Sequence, residues 1–248
     1  MPSIIRFHSF GGAEILKLED VPSQEPRASE VRLRVEAAGI NRDQFTFMSG
    51  QHFSGHGFLE PKLPSRIGYE VTGVVEAVGE GVDHSWMEKR VSPVYGFDQN
   101  VYGVLGEEAV IPAPFLIESP ANLTSIEAAA FWVPYLTAYG GLIPIAQVKP
   151  GDFVAIPAGA SAVGIAAMQI AHEVGAIAIT TTRTSAKKEA ILALGADHVI
   201  VTEEENYESR VREITNGKGV RVTFDPVAGP FLETLAAASA PGGFVIVY

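Results

Sequence analysis

The chain of 248 residues contains no cysteine, which excludes disulfides and every thiolate zinc site. Basic residues are also scarce: 18 Lys and Arg stand against 29 Asp and Glu, for a formal charge of -11. Such a balance disfavours nucleic acid and acidic membrane as partners and points to a small-molecule substrate. No stretch approaches 18 uninterrupted apolar residues, and "MPSIIRFHSF" has no basic start followed by an apolar core. The expected setting is therefore the cytoplasm. A chain of this length buries about 70 to 75% of its unfolded surface, enough for two cores.

The first half is rich in short β-type runs, "EVRLRVEAAGI", "EVTGVVEAVG", "KRVSPVYG" and "EEAVIPA", parted by Gly, Pro and Asp and without helical periodicity. It predicts an all-β, barrel-like domain over residues 1–122. A bridging segment follows, "TSIEAAAFWVPYLTAYGGLI", with Thr124 as N-cap, Glu127 three residues on, and a helix interrupted by Pro134.

From residue 153 strands and helices alternate: strands at 153–157, 176–181, 198–201, 220–224 and 243–248, and helices at 161–174, 185–194, about 206–215 and about 230–239. Gly175 and Gly195 stand where helices end. Alternation with short loops predicts right-handed crossovers and a parallel sheet covered on both faces, over residues 123–248. The fifth strand runs into the end of the chain with no sixth to follow, and an open sheet edge invites pairing. A homo-oligomer, a dimer first, is the expectation.

The turn "IPAGASAVGIAA" lies between a strand and a helix. Ala158, Ser161 and Gly164 occupy a G/A-x-x-G-x-x-G spacing, whose small residues let a pyrophosphate approach backbone amides at a helix start. Ser161 fits the middle place if its φ is negative, and its hydroxyl then caps the helix and offers a donor to phosphate. Ala162 and Val163 fill the rest of the corner. The rival reading is a packed strand-to-helix corner with no ligand. A second cue lies at the end of the next strand, where an acid would select NAD and a base NADP. Here stands "ITTTRTSAKKEA", in which Thr181, Thr182, Arg183, Ser185 and Lys187 form a hydroxyl-rich basic pocket. The two cues together predict NADP(H).

An ordered series of motifs spans the whole chain: "FHSFGGAEILKLEDVP", "EVRLRVEAAGIN", "LPSRIGYEVTGVVEAVGEGV", "PYLTAYGGL", "VKPGDFVAIPAGASAVGIAAMQIAHEVGA", "GADHVI" and "GKGVRVTFDPVAGP". With it the chain resembles the medium-chain dehydrogenase/reductase superfamily, in its zinc-free quinone oxidoreductase branch, and looks C-terminally short. The resemblance implies a GroES-like catalytic domain, a Rossmann cofactor domain and a cleft between them. Zinc-dependent relatives carry Cys after the "AAGI" turn and His in a G-H-E motif; here stand Asn41 and Gly68-Tyr69-Glu70. The implied reaction is zinc-independent hydride transfer from NADPH to an electron-poor quinone or enone, whose developing charge hydrogen-bond donors can stabilise. Enoyl-thioester reduction, and NADPH binding with little catalysis, stay open beside it.

By the same resemblance Asn41 points its amide toward the nicotinamide, or else is a turn Asn satisfying its own backbone. Asp43 orients Asn41 or a water, or is a solvated turn residue. Tyr69 is a proton donor or carbonyl partner, or packs at a strand edge. Thr137 sits beside the nicotinamide or bonds its own helix. Asp225, Pro226 and Val227 line the nicotinamide side, with Asp225 alternatively fixing the loop. Many relatives have Tyr where Phe53 stands, with His52 and His56 as substitutes or as exposed loop residues.

Overall fold

The alternation in "EVRLRVEAAG" places Val31 and Leu33 in the core and Arg34 toward solvent, the pattern of a strand with one buried face. In the computed structural model, which describes residues 1–50, 60–94 and 96–248, the polypeptide divides into two compact units, Met1–Val133 and Pro134–Tyr248.

The first unit contains β1 (Ser3–Phe7), β2 (Lys17–Asp20), β3 (Glu30–Gly39), α1 (Asp43–Ser49), β4 (Ser65–Arg66), β5 (Glu70–Val78), β6 (Arg90–Pro93), α2 (Gln99–Tyr102), β7 (Glu108–Pro112), β8 (Leu116–Glu118) and α3 (Ser125–Ala129). An antiparallel sheet in the order β7-β3-β5-β6-β8 covers a core of Val31, Leu33, Val71, Val75, Val91 and Ile111. A three-stranded sheet, β2-β1-β4, packs Phe7 edge-on against Phe47 of α1. The sequence shows no helical periodicity here, yet α1 forms. Seven residues are too few for a repeat to emerge, and Gln44, Phe47 and Met48 bury one face at helical spacing.

α3 starts on a capping box: Thr124 Oγ1 accepts from Glu127 N at 3.2 Å, and Glu127 Oε2 accepts from Thr124 N at 2.8 Å. The expected long bridge is two helices, broken at Ala130 and Phe131 rather than at Pro134. Pro134 lies in the first turn of α4 (Trp132–Gly140), where its missing N–H leaves no helical bond unmade. The chain divides into its two units after Val133, eleven residues past the sequence reading of 122, because α3 packs on β3 and β5.

The second unit continues with β9 (Phe153–Ile156), α5 (Ala162–Glu173), β10 (Ile177–Thr182), α6 (Lys188–Ala193), β11 (His198–Val201), α7 (Tyr207–Ile214), β12 (Val220–Asp225), α8 (Leu232–Ala237) and β13 (Ser239–Val247). The sheet is parallel in the order β11-β10-β9-β12-β13, the five-strand portion of a Rossmann arrangement. Side chains alternate between two cores: Val154, Ile156, Ala178 and Val199 face α5 and α6, while Ala155, Ile179 and Ile200 face α7 and α8. β13 begins at Ser239, earlier than expected. Ser239 pairs with Val220 and Phe244 with Val222, so Ala240–Gly243 forms a bulge that the glycine pair accommodates. Gly175 and Gly195 follow α5 and α6 with φ of 76° and 109°, as helix-ending glycines do.

Candidate active site and nucleotide-binding edge

In the second unit the chain leaves β9 through Pro157–Ala160, and Ser161 caps α5. Ser161 has φ of -79° and its Oγ accepts from Gly164 N at 3.0 Å. The negative φ fulfils the condition for a serine in the middle place. Tightness is built in by two glycines. A Cβ on Gly164 would come within 2.7 Å of the Ala158 carbonyl oxygen, and one on Gly159 within 1.8 Å of Thr180 Oγ1. Thr180 is fully buried beneath that turn and donates to the Ile156 carbonyl at 2.7 Å. The positive φ expected of such a turn falls on Ala158, at 60°.

The small residues of α5, Ala166, Ala167 and Ala171, let the helix lie close on the sheet. Its first-turn amides, Ala162 and Val163 among them, have no carbonyl one turn back to bond. Those donors and the positive helix end are what an anion needs. The hydroxyl of Tyr248 lies near Ser161, and its ring stacks on Phe224 at 4.2 Å. Burial pushes the Tyr248 phenol up to about 12, against the Ser161 bond, with the Asp225 charge adding to the rise. Nothing in the sequence singled out Tyr248 beyond its place after a parallel strand.

Thr181 and Thr182 end β10, and Ser185–Lys187 forms a 3-10 turn directly after it. Arg183 is 83% exposed, and its Nε lies 3.4 Å from Glu203 Oε1. The basic strand end thus has an acid beside it that the sequence, twenty positions away, does not associate with it. Asp225 ends β12 fully buried, and its two oxygens accept from Val227 N and Ala228 N, each at 2.9 Å. The carboxylate fixes its loop and leaves Val227 exposed. The turn after β9 and the ends of β10 and β12 share the carboxyl edge of the sheet, beside the β9–β12 switch point. Thr137 is half-buried on α4 in the same unit.

In the first unit Gly39 pairs directly with Glu70 across β3 and β5. A Cβ at Gly39 would meet Glu70 Oε2 at 2.7 Å and the Ala129 carbonyl at 2.6 Å, so glycine makes room for the carboxylate. Glu70 is only 4% exposed and accepts from Asn41 Nδ2 at 2.9 Å and from Val133 N at 3.1 Å. Burial raises the Glu70 pKa above the ordinary range; the Asn41 and Val133 bonds oppose the rise, and the Asp43 charge adds to it. Tyr69 is buried, and its hydroxyl donates to Asp43 Oδ1 at 2.5 Å. Asn41, Asp43, Tyr69 and Glu70 thus form two hydrogen-bonded pairs, Asn41–Glu70 and Tyr69–Asp43. The sequence marks Glu70 only as an acid opening an apolar strand, a signal that assigns it no role without the structure. His52, Phe53 and His56 lie outside the described residues.

Comparison with known proteins adds lineage to this geometry. Residues 27–121 match the family described as alcohol dehydrogenase GroES-like domain, and residues 162–248 match zinc-binding dehydrogenase. Quinone oxidoreductase 1 of Escherichia coli (strain K12) is 34% identical over 230 residues, covering 92% of this chain and 66% of that protein. The chain thus spans slightly under two thirds of that relative's length. Quinone oxidoreductase of Sus scrofa is 33% identical over 246 residues, covering 99% and 72%. Among solved structures, Escherichia coli quinone oxidoreductase complexed with NADPH superposes with a TM-score of 0.86 at 32% identity, covering 98% and 72%. The CurK enoyl reductase superposes with a TM-score of 0.88 at 26% identity, covering 99% and 72%. By its two domain signatures, its parallel sheet and its likeness to these proteins, the chain belongs to the medium-chain dehydrogenase/reductase superfamily, in the quinone oxidoreductase branch.

Proposed function

We propose that the protein is an NADPH-dependent oxidoreductase that transfers hydride to an electron-poor conjugated acceptor, a quinone or an enone, without zinc. The observation that carries this reading is the nucleotide edge: a glycine-tight turn, a capped helix start and a basic strand end on one side of a single parallel sheet. The amides of Ala162 and Val163 hold the pyrophosphate, with Ala158, Ser161 and Gly164 shaping the turn. Thr181, Thr182, Arg183, Ser185 and Lys187 receive the adenosine 2′-phosphate. Thr137 and Val227 border the nicotinamide, and Asp225 fixes the loop that carries Val227. When bound, NADPH supplies the hydride.

The acceptor gains negative charge as it is reduced, and the task of the chain is to orient it and to stabilise that charge. Asn41 gives one amide N–H to Glu70 and keeps the other for an acceptor oxygen. Glu70, a positioning residue, fixes the direction of that amide. Tyr69 and Asp43 form a proton path, since Asp43 is exposed and can exchange with water. The donor set does not fit zinc. Amide and phenol stand at the ligand places, the chain has no thiol, and Glu70 is already engaged by two donors.

The acidic, cysteine-free composition supports a cytoplasmic setting, and among the described residues no helix is long and apolar enough to cross a membrane. A homo-oligomer, a dimer first, belongs to the same proposal. Enoyl-thioester reduction is the second reading, favoured by the likeness to the enoyl reductase structure. The test is kcat/KM with NADPH over a panel of a benzoquinone, an enone and an enoyl thioester. The account expects the quinone or enone to lead. A leading thioester transfers the assignment, and NADPH binding with no turnover on any acceptor overturns the enzymatic reading.

A further inference from the structure

β1 and β4 pair antiparallel with Arg6 directly opposite Arg66. Residues so placed send their side chains to one face about 5 Å apart, where like charges destabilise the pair. Arg6 has a partial partner in Glu19, at 3.6 Å, an acid it shares with His8. Arg66 is 8% exposed, and among the described residues no carboxylate forms an ion pair with it. Its hydrogen bond runs from Nη2 to the Glu108 carbonyl oxygen, at a long 3.3 Å. The neighbouring Glu108 carboxylate is engaged instead by Ser23 Oγ at 2.6 Å. Nε of Arg66 and Nε of Arg6 are both buried without a partner. Burial first, and the Arg6 charge second, bring the Arg66 pKa down to about 10.

A buried guanidinium without an anion is expensive, and proteins seldom keep one. Both arginines line a pocket of about 280 Å³ whose other walls include Ile4, Val21, Pro22 and Ser23. We infer that this pocket is an oxyanion site, taking a small molecule that presents a carboxylate or phosphate to the two guanidiniums and a short apolar body to Ile4, Val21 and Pro22. Two planar forks side by side suit a trigonal or tetrahedral oxyanion, and each bond is charge-assisted. The pocket volume holds a headgroup with a few carbons.

The inference stands apart from the nucleotide reading, because its residues lie in the β-rich unit and it needs no NADPH. The experiment follows thermal unfolding and titration calorimetry of the whole chain at constant ionic strength. Chloride is exchanged for inorganic phosphate in one arm and for isobutyrate in the other. The expected result is a saturable rise in Tm in at least one arm, which also identifies the headgroup. Arg6→Gln, at a half-buried position, weakens that binding about tenfold or more, the loss of one charge-assisted bond. Arg66→Met abolishes it where the variant folds, and Lys218→Gln, on the other unit, leaves it unchanged. Absence of saturation in both arms, or an Arg6→Gln variant that responds as the parent does, overturns the site.

Discussion

Ala158 holds a φ of 60° in the turn after β9, a conformation that costs an L-residue about 1 to 2 kcal/mol. Ala158→Gly removes that strain and returns part of it as unfolded-chain freedom, about 0.4 to 1 kcal/mol. A net gain of about 0.5 to 1 kcal/mol in urea unfolding is expected; a loss would show that the Ala158 methyl does packing that outweighs its strain. Three residues on, Ser161→Gly keeps the phosphate corner and costs only tenths of a kcal/mol as a cap. Ser161→Leu places a bulky side chain at that corner and should weaken NADPH affinity much more than folding. Equal losses in Kd and Tm would restore the packing-only reading of the turn. Glu70 makes a pH prediction. Its folded pKa is raised, so the folded state binds its proton more tightly than the unfolded one. Its contribution is therefore most favourable at low pH and declines as pH rises from the ordinary glutamate range to the raised value. Unfolding free energies of the parent relative to Glu70→Gln, measured from pH 4 to 7, should fall with pH; a constant difference would mean that Glu70 titrates normally.

At the scale of elements, the contact between α5 and the β9 turn decides whether the phosphate corner exists. Gly164→Ala pushes a methyl against the Ala158 carbonyl and against Gly159 Cα at 2.9 Å, both backbone atoms that cannot rotate away. Overpacking of this kind costs about 1 to 3 kcal/mol. The expected outcome is a lowered Tm together with a larger fractional loss of NADPH binding; unchanged affinity would mean that the corner can widen without consequence. Elements of the second unit were readable from sequence because each has its own period and its own stop signal, such as Gly175 after α5. In the bridge Pro134 reads as a breaker until its place in the first turn of α4 is known. α1 was missed because its buried face, Gln44, Phe47 and Met48, is one turn long and includes a polar residue.

At the scale of the molecule, what the sequence could not show are pairings made by strand register between distant segments. Asn41 meets Glu70 because Gly39 lies opposite it, and Arg6 meets Arg66 because two short strands cross in one register. Neither follows from periodicity. Arg183 meets Glu203 in the same way, through parallel neighbours β10 and β11. The turn after β9 and the ends of β10 and β12 are legible as neighbours because each follows a strand, and parallel topology brings strand ends together. An NADPH-dependent, metal-independent reduction is checked by following NADPH oxidation with benzoquinone after exhaustive chelation, with NADH in parallel. Turnover undiminished by chelation, no gain from added zinc and a clear preference for NADPH are expected; activity lost on chelation and restored by zinc, or an equal rate with NADH, overturns a zinc-free NADPH enzyme.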